Sequence, residues 1–471
     1  MAIPKDILAV KRPSSTRVKE QNGKYMVIKR TSKQLDDGRI VPVELGVIGH
    51  IVDYKYVPKE PKVSTATINV KEYGRVALAN KLGEDIKHEL YQFFNIHQAD
   101  QIYAIALLRA AFPSITGRDV KFRYDNTFLS EILPNVGLSE NTISKLLITL
   151  GSEYITMKKY MNFRIESVVN TDLLVVDSTL KSYNADNPFS KYTKKGKVKS
   201  SKNVSLMYAF NVNTGEPVAA KAYPGNMVDC TICKDFIIDL NLKNCIITAD
   251  KAFSTKELTN LMIEKGIKPL VPIKRNSKII KDENLLDFTG AFIHDEEKIF
   301  FNKKKVGQVI YYAFKTLKDE AAQKETFFDL SNKGKEFDLE KYSELENKAG
   351  TIVFSSTIDT DPETIFKIYE LRWEIESFFN MSKNIVQIPN VRVHQYSSVI
   401  ATEFINFLTA LISIRIKHYL TEKGVLSKFS YNQTFNYLSS VYKTNDGINK
   451  DNWTFSSAPK YVMELVKKLE I

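Results

Sequence analysis

The chain has 471 residues, of which 43% are hydrophobic and 26% charged. This composition excludes a disordered protein and leaves room for roughly two to four domains. Lys and Arg outnumber Asp and Glu by 67 to 55, a formal charge of +12, which favours an anionic partner, most often nucleic acid.

The N-terminal stretch "MAIPKDILAVKRPSS" has no apolar core of signal-peptide length. Residues 1–65 read as a β-rich segment. "GKYMVIKR" and "VPVELGVIGHIV" are strand-like, and "DDGR" between them is a turn. Residues 66–165 read as helical, with "EDIKHELYQFFNI" and "ADQIYAIALLRAAF" placing apolar residues at helical spacing. In "FLSEILPNVGLSENTISKLLITLG", Pro134 and Gly137 break the chain. Ser139 caps a helix predicted to reach Leu150, with Gly151 as its stop. Helix, break, helix fits either a DNA-reading helix-turn-helix or an ordinary helical hairpin.

Between 166 and 275 strands and helices alternate, which predicts an α/β layer with a mixed sheet. "LLVVD" and "CIITAD" are short apolar runs expected as buried strands, and they end in Asp177 and Asp250. "VSLMYAFNV", "NTGE" and "PVAAKAYPG" read as strand, turn, strand. Residues 181–202 carry seven lysines and one acid, with Tyr183, Phe189 and Tyr192 interleaved; this fits a path along a DNA backbone or a solvated loop. Cys230 and Cys233 form a lone C-x-x-C, and Cys245 is the third cysteine. An odd, sparse set points to a reducing compartment, and without a second pair or clustered histidines it reads as structural rather than zinc-binding. Ser254 and Glu257 predict a capping box, and Gly266 closes the helix that follows.

Residues 276–348 break this rhythm. "AFIHDEEKIFFNKKKVGQVIYYAFK" reads as antiparallel hairpins and "DLSNKGKEFDLEKYSELENKAG" as polar chain, so the segment is expected to be a β-rich insertion. The core resumes in 349–425 with the strand "GTIVFSST". Asp361 then caps a helix, with Pro362 at its first position and Glu363 at its positive end. That helix is predicted to run on through "YELRWEIESFFNMSK" (Tyr369 to Lys383). "FINFLTALISIRI" (Phe404 to Ile416) is shorter than a membrane span, is interrupted by Asn406 and Arg415, and reads as a buried helix. Residues 426–471 read as a helical tail. The chain holds no internal repeat, no low-complexity segment and no G-x4-G-K-[ST] phosphate loop, which sets aside that class of ATPase.

Three carboxylates stand out by position: Asp177 and Asp250 at strand ends, and Glu376 at the core edge of the later helix. Functional groups gather at the carboxyl ends of strands in α/β sheets. Acids brought together repel unless cations bridge them. Mg²⁺ prefers oxygen ligands, and two such ions on three carboxylates suit phosphodiester chemistry. On an ideal helix Tyr369, Arg372, Glu376 and Lys383 fall within an arc of roughly 60°, beside the apolar arc of Ile368, Leu371, Ile375, Phe378 and Phe379.

The spacing Y-x2-R-x3-E-x6-K resembles the signature of the DDE transposases of bacterial insertion sequences, the YREK group. "LLVVDSTL", "YPGNMVD" and "ITADKAFST" resemble the settings of the acids in that group, and the likeness spans roughly residues 15 to 420. It implies an α/β fold: an RNase H-like mixed-sheet catalytic core, interrupted by the β-rich insertion and preceded by a mostly helical DNA-binding region at 66–165. It implies that Asp177, Asp250 and Glu376 are the catalytic triad holding two Mg²⁺, with Mn²⁺ able to substitute. It implies that Tyr369 and Arg372 hold phosphates near the cleaved bond and that Lys383 holds the backbone nearby. Asn226 and Asp229 are secondary candidates for positioning the site. The implied activity is cut-and-paste transposition by strand cleavage and strand transfer. The implied partners are terminal inverted repeats, target DNA and a second copy of the chain in the DNA complex, with no membrane. The implied location is the bacterial cytoplasm, at the nucleoid. Two departures stand beside the likeness. The segment 181–202 is longer and more basic than is usual in the group. No Trp occurs in 276–348, and Trp373, next to the signature Arg, reads as packing. The rival readings are a transposase-derived DNA-binding regulatory protein without catalysis, and a metal nuclease without end specificity.

Overall fold

The computed structural model describes residues 3–34, 39–59, 68–168, 172–182, 187–193, 202–332, 339–384, 394–446 and 452–471. The turn expected at "DDGR" therefore lies, but for Arg39, outside the described residues. Contacts divide the chain into two units, Met1–Asn69 with Thr444–Trp453, and Val70–Lys443 with Thr454–Ile471.

In the first unit a single helical turn, α1 (Lys5–Leu8), accompanies a four-stranded antiparallel sheet. Its strands are β1 (Thr16–Gln21), β2 (Lys24–Gln34), β3 (Ile40–Val52) and β4 (Lys55–Pro58). Asn22 and Gly23 both take positive φ, which gives the β1–β2 hairpin a turn whose twist matches its strands. Val18 and Val27 face each other across that pair and close a small core with Ile7 and Ile51.

The short strand β5 (Asn69–Glu72) precedes a run of helices: α2 (Gly74–Tyr91), α3 (Ile96–Ala111), α4 (Asp119–Asn126), α5 (Leu129–Ile132), α6 (Glu140–Ser152) and α7 (Tyr154–Glu166). Ser139 caps α6 through the Thr142 N–H, as its position predicts. Gly151 does not stop the helix, which runs on to Ser152. A Cβ there would lie 1.8 Å from the Ser397 carbonyl oxygen, so Gly151 is a close-approach residue. α5 is four residues long, and Ile143, Leu146, Leu147 and Leu150 of α6 are buried in the main core.

The second unit centres on a ten-stranded sheet. β6 (Leu173–Ser182), β7 (Lys191–Tyr192), β8 (Lys202–Asn211) and β9 (Glu216–Pro224) come first. α8 (Asp229–Asp239), β10 (Ile246–Thr248), a 3₁₀ turn at Lys251–Phe253, α9 (Lys256–Glu264) and β11 (Lys268–Pro272) follow. β10 lies parallel to both β6 and β11, while β8 pairs antiparallel with β6 and with β9. The order β9-β8-β6-β10-β11 is the expected RNase H-like mixed sheet. α9 is capped by Thr255, one residue after the predicted Ser254, and Gly266 closes it at φ +71°.

The insertion is less β-rich than predicted. After α10 (Lys278–Asp282), the strands β12 (Gly290–His294), β13 (Glu297–Val306) and β14 (Val309–Thr316) give way to two helices, α11 (Leu317–Asn332) and α12 (Leu339–Lys348). α12 buries no residue, so apolar periodicity could not announce it. The strands also do not form a separate layer. β15 (Thr351–Ser356) pairs antiparallel with both β14 and β11, which fuses the insertion to the core sheet edge to edge.

The largest correction concerns the helix after Asp361. It is two helices, α13 (Pro362–Glu370) and α14 (Trp373–Asn384). Between them the Arg372, Glu374 and Ile375 N–H groups bond to carbonyls three residues back. Neither Pro nor Gly marks the break. α13 packs Ile365 and Phe366 onto the β13–β15 side of the sheet, whereas α14 packs Ile375 and Phe378 into the main core. The sheet turns by roughly 20–25° per strand between those places, and one straight helix cannot follow both.

α15 (Tyr396–Glu422) is the axis of the main core, followed by α16 (Tyr431–Leu438) and α17 (Lys460–Leu469). α15 is long and apolar enough to cross a membrane, but 89% of its most apolar window is buried within the fold. The core it forms takes in residues from α2, α3, α6 and α7 as well as from the sheet, so the helical region 66–165 does not stand as a compact unit of its own. A buried polar chain ties α15 to the sheet. Lys181 pairs with Glu403 at 3.0 Å, Asn406 donates to Glu403 at 3.0 Å, and Arg109 donates to Asn406 at 2.9 Å. Lys181 is thus not part of a DNA-facing loop. Phe189 is buried against Tyr396, with ring centroids 4.6 Å apart, and of the three aromatics only Tyr192 is an exposed one within the description. Tyr183 and the lysines between 194 and 199 lie outside the described residues.

Gly151→Ala is expected to cost about 2–4 kcal/mol, because the methyl group would overlap backbone rather than a movable side chain. Gly117→Ala, with nothing within 4 Å of the new Cβ, should change stability by no more than about 0.5 kcal/mol. Urea unfolding midpoints of the two variants check this.

Candidate active site

β6 and β10 pair only as far as Val175 and Thr248. β10 is three residues long and ends there, while β6 runs on to Ser182 beside β8. Asp177 is therefore not the last residue of its strand, as expected, but the first side chain beyond the buried run, where β6 has lost its neighbour on one side. Asp250 lies just past the end of β10 and caps the 3₁₀ turn by accepting the Lys251 N–H at 2.7 Å. The missing stretch of β10 leaves an open cleft lined by Asp177, Ser178, Gly225, Met227, Asp229 and Asp250, among others.

α14 brings in the third acid. Phe378 packs on Tyr208 and Phe210 with centroids 5.3 and 5.4 Å apart, and Tyr208 is the cross-strand partner of Asp177. Glu376 lies between Ile375 and Phe378 and pairs with Arg372 at 2.7 Å. The Arg372 guanidinium stands 5.6 Å from the Tyr369 ring and 5.2 Å from the Trp373 ring. Its Nε is buried and has no hydrogen-bond partner among the described residues. Tyr369 rests on Phe354, 4.4 Å between centroids, and Phe354 pairs with Pro272 of β11.

These groups share one electrostatic field. Burial pushes the Asp177 carboxyl up to about 6; the Ser178 N–H and Arg372 pull it down, while Asp250 and Glu376 raise it. Burial also raises the Tyr369 phenol, against the pull of Arg372. The Arg372 guanidinium is held above its usual value: burial opposes this, but Tyr369, Glu376 and Asp250 prevail. Asp177 and Asp250 thus line one cleft, while Glu376, Arg372 and Tyr369 lie within electrostatic reach of these acids. Lys383 lies two turns along α14 from Glu376 on the same face, roughly 10 Å away. Asp229 faces the cleft, while Asn226 is exposed on the turn before it and is not among the residues lining the cleft. Trp373 is 59% exposed beside Arg372, so it is not the packing residue expected. Ser178 was missed in the sequence, and the only signal for it was its place directly after Asp177.

The donor set suits a hard divalent cation, since it is all carboxylate oxygen. Asp177 and Asp250 already face one cleft, and the upward shift of Asp177 marks an anion whose burial and like-charged neighbours outweigh its compensation. Among the described residues no three His, Cys, Asp or Glu side chains are grouped closely enough to hold an ion as they stand, and Glu376 is paired with Arg372.

An RNase H-like sheet with acids gathered at the cleft beside its short central strand defines the class. Residues 170–412 match the family described as "Transposase DDE domain", and the chain belongs to that family. Among solved structures the chain is similar to the piggyBac transposase in a synaptic complex with hairpin DNA, at 12% identity and a TM-score of 0.44, covering 84% of this chain and 85% of that one. It is also similar to the Mos1 transposase in a paired-end complex, at 10% identity and a TM-score of 0.17, covering 33% and 58%. The assignment rests on the family match and not on these likenesses. No curated protein matches the chain.

The raised Asp177 carboxyl makes a signed prediction for metal-free protein. Ionised Asp177 is disfavoured by the fold, so its cost is full above about pH 6 and disappears below the unfolded value of 3.8. Asp177→Asn should therefore stabilise the fold by about 1–3 kcal/mol at pH 8, with the gain fading to nothing near pH 3.5. Denaturant titrations in EDTA across that range measure it.

Proposed function

We propose that this protein is a cut-and-paste DNA transposase of the bacterial insertion-sequence type. The observation that supports this reading best is the convergence of Asp177, Asp250 and the Glu376–Arg372 pair beside one cleft. Asp177, Asp250 and Glu376 would hold two Mg²⁺ ions, with Mn²⁺ able to replace them. Such a pair, when bound, lowers the pKa of an attacking water and stabilises the leaving oxygen of a phosphodiester.

The chain's own residues do the rest by holding the DNA. Arg372 grips a phosphate with its planar fork. Tyr369 fixes the orientation of Arg372 and offers its hydroxyl to the same phosphate. Lys383 neutralises the backbone further along the strand as a point charge. A nick at each transposon end frees a 3′-hydroxyl, which attacks the opposite strand and displaces the flanking DNA; water then opens the new bond, and the regenerated 3′-hydroxyl attacks a target phosphate. No covalent enzyme intermediate is required. The partners are terminal inverted repeats, target DNA and a second copy of the chain, since two ends are processed together, and the setting is the cytoplasmic nucleoid.

End-labelled DNA bearing the element's own terminal repeats tests this. Cleavage at the repeat boundary is expected with Mg²⁺ and should vanish with EDTA and in Glu376→Gln. Specific binding without cleavage in any metal would leave the regulatory reading instead. Lys383→Ala should weaken DNA binding uniformly across sequences and lower the slope of log affinity against log salt by about one; fluorescence anisotropy at several salt concentrations measures that slope.

A further inference from the structure

The cleft holds an acid that the triad does not use. Asp229 is the first residue of α8, and Val228 before it offers no capping side chain. Its place is set by the turn that precedes it. Gly225 passes so close to β8 that a Cβ would lie 2.0 Å from the Asn203 carbonyl oxygen. The Gly225 N–H donates to the Phe189 carbonyl at 3.1 Å, and the Met227 N–H to the Pro224 carbonyl at 3.0 Å. The segment "YPGNMVD" is thereby pinned to the sheet, and α8 starts opposite β6.

Across that gap two hydrogen bonds run in series. The Ser178 hydroxyl donates to Asp229 Oδ1 at 3.1 Å, and the Ser178 backbone N–H donates to Asp177 Oδ1 at 2.7 Å. Successive residues of a strand point to opposite faces. Anchoring the Ser178 side chain therefore fixes the orientation of the peptide that holds Asp177. That peptide has no neighbour on the β10 side, so the sheet supports it from β8 alone.

We propose that Asp229 is a positioning residue that acts through Ser178 to hold Asp177 in its ion-binding orientation. The inference rests on the reading of Asp177 as a metal ligand. Asp229 works here as a hydrogen-bond acceptor and not as a fourth ligand. Groups that orient a ligand in this way typically account for about 10- to 100-fold in metal affinity.

The test uses the full chain without DNA, with Mn²⁺ binding followed by electron paramagnetic resonance and thermal unfolding in EDTA as the folding control. Asp229→Ala and Ser178→Ala should each weaken Mn²⁺ binding about 10-fold or more at an unchanged metal-free midpoint. The double variant should be no worse than the weaker-binding single one, because both changes break the same relay. Asp229→Asn, which keeps an oxygen to accept from Ser178, should stay within about threefold of the parent chain. Two results would overturn the proposal: an Asp229→Asn loss equal to that of Asp177→Asn, which would make the charge itself essential, or fully additive losses from Ser178 and Asp229. If the parent chain bound no Mn²⁺ and cleaved no DNA, the metal reading would fall and the relay with it. If the parent bound Mn²⁺ normally and every Asp229 and Ser178 variant matched it, the relay alone would fall.

Discussion

The burial of the Asp177 carboxyl within the field of Asp250 and Glu376 is the constraint on which the candidate site depends. Three carboxylates near one cleft are unstable company unless cationic charge is close by. In this chain Arg372 supplies it, paired with Glu376 at 2.7 Å and lowering Asp177 through space. The compensation is partial, as the carboxyl of Asp177 still sits near 6. The guanidinium is held above its usual value by Tyr369, Glu376 and Asp250 against the cost of burial, and its buried Nε has no hydrogen-bond partner among the described residues.

The sheet and the helices serve that geometry in distinct ways. A three-residue β10 between two longer strands opens the cleft, and the continued pairing of β6 with β8 keeps Asp177 on a supported backbone. The insertion extends the same sheet through β15, so Tyr369, resting on Phe354, is referenced to the same hydrogen-bonded framework as Asp250. The break at Leu371–Arg372 lets one helix obey the insertion side and the next obey the main core. Tyr369 on α13 and Glu376 and Lys383 on α14 sit astride that joint.

Much of this was legible locally. Ser139 and Asp361 cap their helices where a short polar residue before an apolar period says they should. The apolar runs ending at Asp177 and Asp250 became neighbouring strands because a run of that length and composition buries both faces. The reading of Gly151 as a stop failed because a glycine demanded by close packing looks the same in sequence as one demanded by a left-handed turn. Lys181 shows the same ambiguity: it carries the same charge on paper whether it faces solvent or Glu403.

The sequence by itself determined what depends on neighbours a few residues away. That covers the caps, the buried strands, the two aspartates that follow apolar runs, and the Y-x2-R-x3-E spacing that leaves Arg372 beside both Tyr369 and Glu376. Tertiary structure alone decided what depends on partners far along the chain. It decided that the helix after Asp361 divides, because two cores on a twisted sheet pull it in two directions. It decided that the helical region packs around α15, that the insertion joins the core sheet, and that Ser178 links Asp229 to Asp177. Each of these outcomes is set by surfaces meeting in space, and no window of sequence contains both sides of the contact.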